Sequence, residues 1–372
     1  MKKTLFLVIL IFICNLSFAN TLFFELGSDF LYQTYDDYDD FSWRKFGFWT
    51  NLDRMINENL FFYGNVPIYE SYKYDYRFYS DDDEYLLPGI SLGVAGYMDE
   101  RLRVNGSFTI DSVNDLSTIN ISFDYLLRMN MNGLLMSAQY VRLFGDYITS
   151  LNGYVLAFKY RYGDRDQTVR GLQHRVIPSM RQNYDSRVFF EFGPDYTLTT
   201  QSDSERYLGE RYEWSLSEYK LDIDANIDVM INPNLFILGN TRLYRTEVWK
   251  NKNSWSSWNK EDSNNSLFPF YSLGIVGYFK EILRLEGTYS GKKIKYLEDY
   301  GYDWGYVDYT IESFIFSGNI LNSFNVHGLT LGLSYKKLLS KEISDQNNFE
   351  LTFSYRFGDR DRNVRDAQHR IY

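Results

Sequence analysis

The chain has 372 residues and a single cysteine, Cys14, so no intrachain disulfide can form and no thiol pair is available for redox chemistry. Six prolines are few enough to leave long backbone ladders unbroken, because proline donates no N–H. After Ala19 no run reaches the ~18 consecutive apolar residues of a membrane-spanning helix. The three histidines, His174, His327 and His369, come with no Gly-x-Ser-x-Gly sequence, so no catalytic residue is assigned and the chain is not expected to be an enzyme. A basic excess is also missing. The net charge of −10 argues against a nucleic-acid partner.

What is present in excess is aromatic. Tyr, Phe and Trp make up 19% of the chain, with 34 Tyr and 29 Phe, and amphipathic rings in that number suit a surface that meets lipid headgroups. Mean hydropathy is nevertheless −0.39, so polar and apolar residues are interleaved rather than segregated. The interleaving has period two. Val104, Phe108 and Ile110 alternate with Arg103, Asn105 and Thr109. Ile119, Ile121, Phe123 and Tyr125 alternate with Asn120, Ser122 and Asp124. Leu221, Ile223 and Ile227 alternate with Lys220, Asp222, Asp224 and Asp228. This is the pattern of strands with one lipid-like and one wet face, and no helix-period segment is available to cover the apolar side.

Sixteen such segments are expected, near residues 21–33, 41–53, 59–70, 88–98, 101–111, 117–128, 133–143 and 153–162, then 187–199, 211–230, 234–248, 268–279, 282–291, 305–318, 327–337 and 348–357. The two sets of eight correspond. Leu22–Gly27 matches Val188–Gly193, Ile56–Phe61 matches Ile231–Phe236, and Leu92–Tyr97 matches Leu273–Tyr278. The longest match is Phe158–Arg175 with Phe353–Arg370, each carrying Gly-Asp-Arg-Asp, Val-Arg and Gln-His-Arg. An internal duplication is the simplest source of such matches. Connections after odd segments are mostly long and polar, as in Ser71–Tyr85 and Asn251–Asn265, whereas those after even segments are mostly short. Long outer loops with short periplasmic turns would put both termini in the periplasm.

The N-terminus fits this compartment. Lys2 and Lys3 precede an apolar run, Leu5–Ile13, and small residues Ser17 and Ala19 offer a cleavage site, so residues 1–19 are read as a secretory signal peptide. Residues 20–162 are then a first barrel half, 163–186 a periplasmic linker, 187–357 a second half and 358–372 a periplasmic tail.

The segment Phe349-Glu350-Leu351-Thr352-Phe353-Ser354-Tyr355-Arg356-Phe357 resembles the aromatic-ending final strand of Gram-negative outer-membrane β-barrel proteins, with Tyr154–Tyr162 as its counterpart. That resemblance, to the porin-like class, implies the outer-membrane lipid and the barrel assembly machinery as partners. The fold expected is an all-β antiparallel transmembrane barrel of about sixteen strands. The alternative is two tandem eight-stranded barrels, which the long link Gly163–Arg187 favours. An eight-stranded barrel has an interior just wide enough for side chains to fill, and a dry interior does not tolerate unpaired charge.

A wide lumen would be lined by Lys45, Arg101, Arg103, Lys159 and Arg161 in the first half. Glu191, Lys220, Asp222, Asp224, Asp228, Arg284 and Glu286 would line it in the second, with Asp195, Glu218 and Glu312 on the same inward face. The acidic excess predicts a passive channel for small hydrophilic solutes with a mild cation preference. The competing reading is a closed structural or adhesive barrel whose acidic, aromatic loops bind a partner, with Trp249, Trp255 and Trp258 clustered in one loop.

The repeated motif comprises Asp164, Arg165, Asp166, Arg170, His174 and Arg175, and Asp359, Arg360, Asp361, Arg365, His369 and Arg370. It is expected at the periplasmic mouth as a capping segment held by Arg–Asp pairs, or as a dock for peptidoglycan or a periplasmic protein. Its interleaved arginines repel cations, so neither a metal nor any cofactor is assigned.

Overall fold

The computed structural model describes residues 22–35, 41–57, 59–76, 79–98, 102–129, 132–145, 151–163, 187–207, 210–232, 234–253, 260–279, 283–299, 304–324, 327–339 and 346–357. The signal-peptide reading, Arg101, the linker 164–186 with its motif, Trp255, Trp258 and the tail 358–372 lie outside these residues.

Every described element is a β-strand. The first half holds β1 (Leu22–Tyr35), β2 (Ser42–Asn57), β3 (Leu60–Tyr76), β4 (Tyr79–Leu86), β5 (Gly89–Met98), β6 (Leu102–Asp111), β7 (Leu116–Met129), β8 (Asn132–Gly145) and β9 (Leu151–Tyr162). The second holds β10 (Val188–Tyr207), β11 (Glu210–Asn232), β12 (Leu235–Asn253), β13 (Lys260–Phe279), β14 (Leu283–Asp299), β15 (Trp304–Phe324), β16 (His327–Leu339) and β17 (Gln346–Phe357). All sixteen segments read from the alternation are present. β4 and β5 pair successively with the same strand, β3, and form one broken stave.

The ring closes once. β9 pairs with β10 from Tyr162↔Phe190 to Leu151↔Gln201, and β17 pairs with β1 from Phe357↔Phe24 to Gln346↔Tyr35. Two eight-stranded barrels would instead pair β1 with β9 and β10 with β17, and neither pairing occurs among the described residues. Sixteen staves at ~4.8 Å spacing and ~40° tilt make a ring about 32 Å across at the backbone, whereas eight would give about 16 Å. The wide ring is what lets both halves keep charged inner faces.

The two faces sort as the alternation requires. Phe46, Phe48, Leu92, Val94, Phe108, Ile121, Phe123, Leu156, Phe158, Ile227, Ile275, Phe316, Leu331, Leu351 and Phe353 are all exposed on the outside. On β9 this outer stripe runs from Tyr154 to Tyr162, both exposed. That is ~27 Å along a strand and, at a tilt of ~40°, about 20 Å along the barrel axis. It approaches the ~25 Å apolar band, flanked by aromatic girdles, of lipid-embedded barrels.

Two expectations change. Ser71–Tyr85 and Asn251–Asn265 are largely not loops, because β3, β4, β12 and β13 carry their ladders far past the apolar belt, as in Tyr76↔Tyr79 and Asn251↔Lys260. Glu312 faces outward. It shares its parity with the exposed Phe314 and Phe316 and accepts a hydrogen bond from Tyr271 Oη (3.3 Å), while Ser313 turns inward to Ser290 Oγ (2.7 Å).

The ladder is interrupted at matching places in both halves. The pairing of β2 with β3 skips Ile68, and that of β11 with β12 skips Leu243. Across the adjacent strand, Leu87 and Phe268 take positive φ values of 53° and 48°, each just before a proline, Pro88 and Pro269. A single extra residue bends a strand and resets which side chains face inward. At these kinks the wall divides. The β5–β6 ladder stops at Gly89↔Asp111, and the β13–β14 ladder stops at Phe270↔Lys292. Beyond that point, among the described residues, β13 pairs with β12 alone and β14 with β15 alone.

Candidate functional site in the barrel lumen

The inner wall is built of ion pairs. At the end of the barrel where the chain enters and leaves the ring, Arg161 of β9 pairs with Glu191 of β10, both nearly buried. Asn226 Nδ2 also reaches Glu191, at 3.5 Å. The opposite seam holds the equivalent set. Glu25 accepts from Ser354 Oγ (2.8 Å) and Asn51 Nδ2 (3.3 Å). Next to these clusters Asp53 and Asp228 are 0% and 1% exposed. Apolar side chains on the same inner face are equally enclosed: Phe61 and Ala95 in one half, and Met230, Phe236, Val276 and Tyr278 in the other.

Moving away from that end, Lys159 Nζ lies 2.8 Å from Asp195. Arg242 then bridges Asp224 (2.8 Å) and Asp222 (3.2 Å). Arg245 meets both Asp222 oxygens, Nε at 2.7 Å and Nη2 at 2.9 Å, and reaches Glu247 at 3.3 Å. Lys220 closes the series on Glu218 at 2.7 Å. On the first-half wall Lys45 meets Glu70 at 2.7 Å and Arg103 lies 3.7 Å from Asp124. Past the apolar belt, the Arg44 guanidinium beside Asp75 holds that carboxyl below the usual carboxylate range. Each charge half out of solvent meets an opposite one, because a desolvated ion without a partner is costly.

No protein-family model matches the chain, and no curated protein matches it in sequence. Among solved structures, the barrel is similar to Pseudomonas aeruginosa OccK1 (OpdK). The TM-score is 0.47 at 8% identity, covering 92% of this chain and 100% of that one. Pseudomonas aeruginosa OprD aligns with a TM-score of 0.42 at 11% identity, over 91% and 94% of the two chains. A bacterial polysaccharide outer membrane secretin aligns with a TM-score of 0.46 at 9% identity, over 92% and 100%. Likeness this distant carries no argument about activity, so the barrel stands on its own ladders and the function on its own lumen.

Lys45, Arg103, Lys159, Arg161, Glu191, Lys220, Asp222, Asp224, Asp228, Arg284 and Glu286 lie on the inner face. Arg284 and Glu286 pair with each other at 2.6 Å. The alternation missed Arg242, Arg245 and Glu247. Strict period two would send Arg242 and Arg245 to opposite faces. The bulge at Leu243 turns both inward, so the second half is less acidic than the sequence alone implied. Trp249 is not a loop residue. It sits on β12, and its indole N–H donates to Glu218 Oε1 at 2.9 Å.

Proposed function

We propose that the protein is an outer-membrane, porin-like channel for passive diffusion of small hydrophilic solutes, with both termini periplasmic. One observation carries the reading: a single closed ring of sixteen staves has an apolar outer belt and an inner wall of named ion pairs. Such a ring is too wide for its own side chains to fill. The long ladders past the belt would stand on the cell surface, and the short turns would face the periplasm. A cleaved leader at residues 1–19 and an internal duplication in a Gram-negative envelope protein are part of the same reading, as are insertion by the assembly machinery and an arginine-rich periplasmic collar.

The acidic balance of the chain, 49 Asp and Glu against 39 Lys and Arg, supports a mild cation preference. Planar-bilayer recording of the purified protein tests both parts. Stepwise conductance and a reversal potential displaced towards the cation in a KCl gradient are expected. Absence of steps sinks the channel, and an anion-directed displacement sinks the preference alone.

The competing reading, a closed adhesive barrel, draws on β4. Asp81, Asp82, Asp83 and Glu84 are all exposed there, on a hairpin that stands clear of the ring. Liposomes that fail to swell with the intact barrel inserted would favour it.

A further inference from the structure

Where β13 and β14 part, the division encloses a cleft of about 690 Å³, within the range of ligand sites. The matching division in the first half encloses only about 260 Å³. The difference has a local cause. In the first half β6 ends at Asp111, and the turn that follows folds onto the kink, with Ser112 donating from N and Oγ to the Pro88 carbonyl, both at 2.8 Å. In the second half β14 runs on to Asp299, and among the described residues no such turn occupies the kink.

We propose that the larger cleft binds a phosphorylated sugar. The charges sort into matched and unmatched groups. Lys220 is engaged by Glu218 at 2.7 Å, and Arg245 by Asp222 and Glu247. Lys292 and Lys293, adjacent on β14 and both lining the cleft, have no carboxylate partner among the described residues. Among the described residues Lys293 donates a 3.4 Å hydrogen bond to the Leu267 carbonyl oxygen. Adjacent strand residues point to opposite faces, so the two ammonium groups border the cleft from either side of β14, and each would act on a phosphate as a point charge with free donors.

The remaining lining suits a sugar ring. Trp249 offers a flat apolar surface whose orientation is set by its bond to Glu218, and Asn264 and Asn265 offer amide donors and acceptors for hydroxyl groups. The cleft borders Leu267 and Phe268, exposed at the edge of the apolar belt, so the sugar phosphate could be a free solute or the headgroup of a membrane glycolipid.

This deepens the channel reading by naming a solute class for the same lumen, but its test needs no conduction. Isothermal titration of the full-length protein in detergent with glucose 6-phosphate is expected to show saturable binding. The double variant Lys292→Gln/Lys293→Gln should weaken it at least tenfold, with folding verified by the heat-dependent gel shift of intact barrels. Trp249→Ala should weaken it while leaving the phosphate requirement intact. Displacement of the probe by lipid A would assign the site to a headgroup, and lack of displacement to a free solute. Equal affinity for inorganic phosphate, equal affinity for unphosphorylated glucose, or binding indifferent to the double variant would each overturn the proposal. Binding by a protein that shows no conductance steps would count against the channel alone.

Discussion

Replacing Arg161 by alanine probes the seam on which the single-barrel architecture depends. Arg161 reaches from β9 to Glu191 on β10, and the two side chains are only 7% and 9% exposed. Removing the guanidinium leaves a carboxylate enclosed at the seam, with the Asn226 amide 3.5 Å away. Breaking a buried pair from one side is expected to cost about 3–5 kcal/mol, because the remaining charge stays desolvated. The same replacement at Lys45, whose pair with Glu70 is 23% and 17% exposed and faces the wet lumen, should cost about 1 kcal/mol or less. Guanidinium titration in detergent micelles, followed by tryptophan fluorescence, measures both. Replacing the pair together, Arg161→Met with Glu191→Leu, should recover stability to within about 1 kcal/mol of the parent, since neither charge is then left enclosed. A loss below about 1 kcal/mol for Arg161→Ala, or no recovery in the double variant, would refute the claim that the seam is a dry ion pair.

Three further outcomes are expected. Cysteines at Leu156 and Tyr196, directly opposite across β9 and β10 and both on the outer face, should form a disulfide on oxidation, read as altered mobility on a non-reducing gel. A pair of separate eight-stranded barrels would leave them unlinked. Phe123→Arg, in the outer belt, should lower folding stability in lipid by about 2–4 kcal/mol, whereas Ser122→Arg, on the lumen face, should cost much less, with vesicle refolding titrations comparing the two. Gly27→Val should destabilise by about 1–3 kcal/mol in the same titrations, because a Cβ there would lie 2.4 Å from the Trp49 ring that covers it. A neutral result at Gly27 would mean that the Trp49 ring turns aside freely.

The order of elements and the facing of most side chains were legible because a strand has a period of two and this chain keeps to it. Ile121 and Phe123 are outside and Asn120 and Ser122 inside, as their types require. Charge was the wrong guide at Glu312, which strict alternation puts on the same face as Phe314 and Phe316. There the apolar pair and the outward Tyr271 hydroxyl decided the direction. Parity itself failed past Leu243, because a bulge leaves no reliable mark in composition, and Arg242 and Arg245 entered the lumen unannounced. The arms of β3, β4, β12 and β13 looked like loops because their residues are polar. Polar composition separates water from lipid but does not separate loop from ladder.

Strand identity, the amphipathic alternation and the correspondence between halves are local properties, set by neighbours along the chain, and the sequence by itself determined them. How many barrels form is a question of which edges meet. β9 carries the same residues whether it pairs with β1 or with β10, and only the closed ring assigns it to β10. The size of the cleft between β13 and β14 was likewise decided in three dimensions. It depends on whether the turn after β6, or its longer counterpart after Lys292, folds back onto a proline kink contributed by a neighbouring strand.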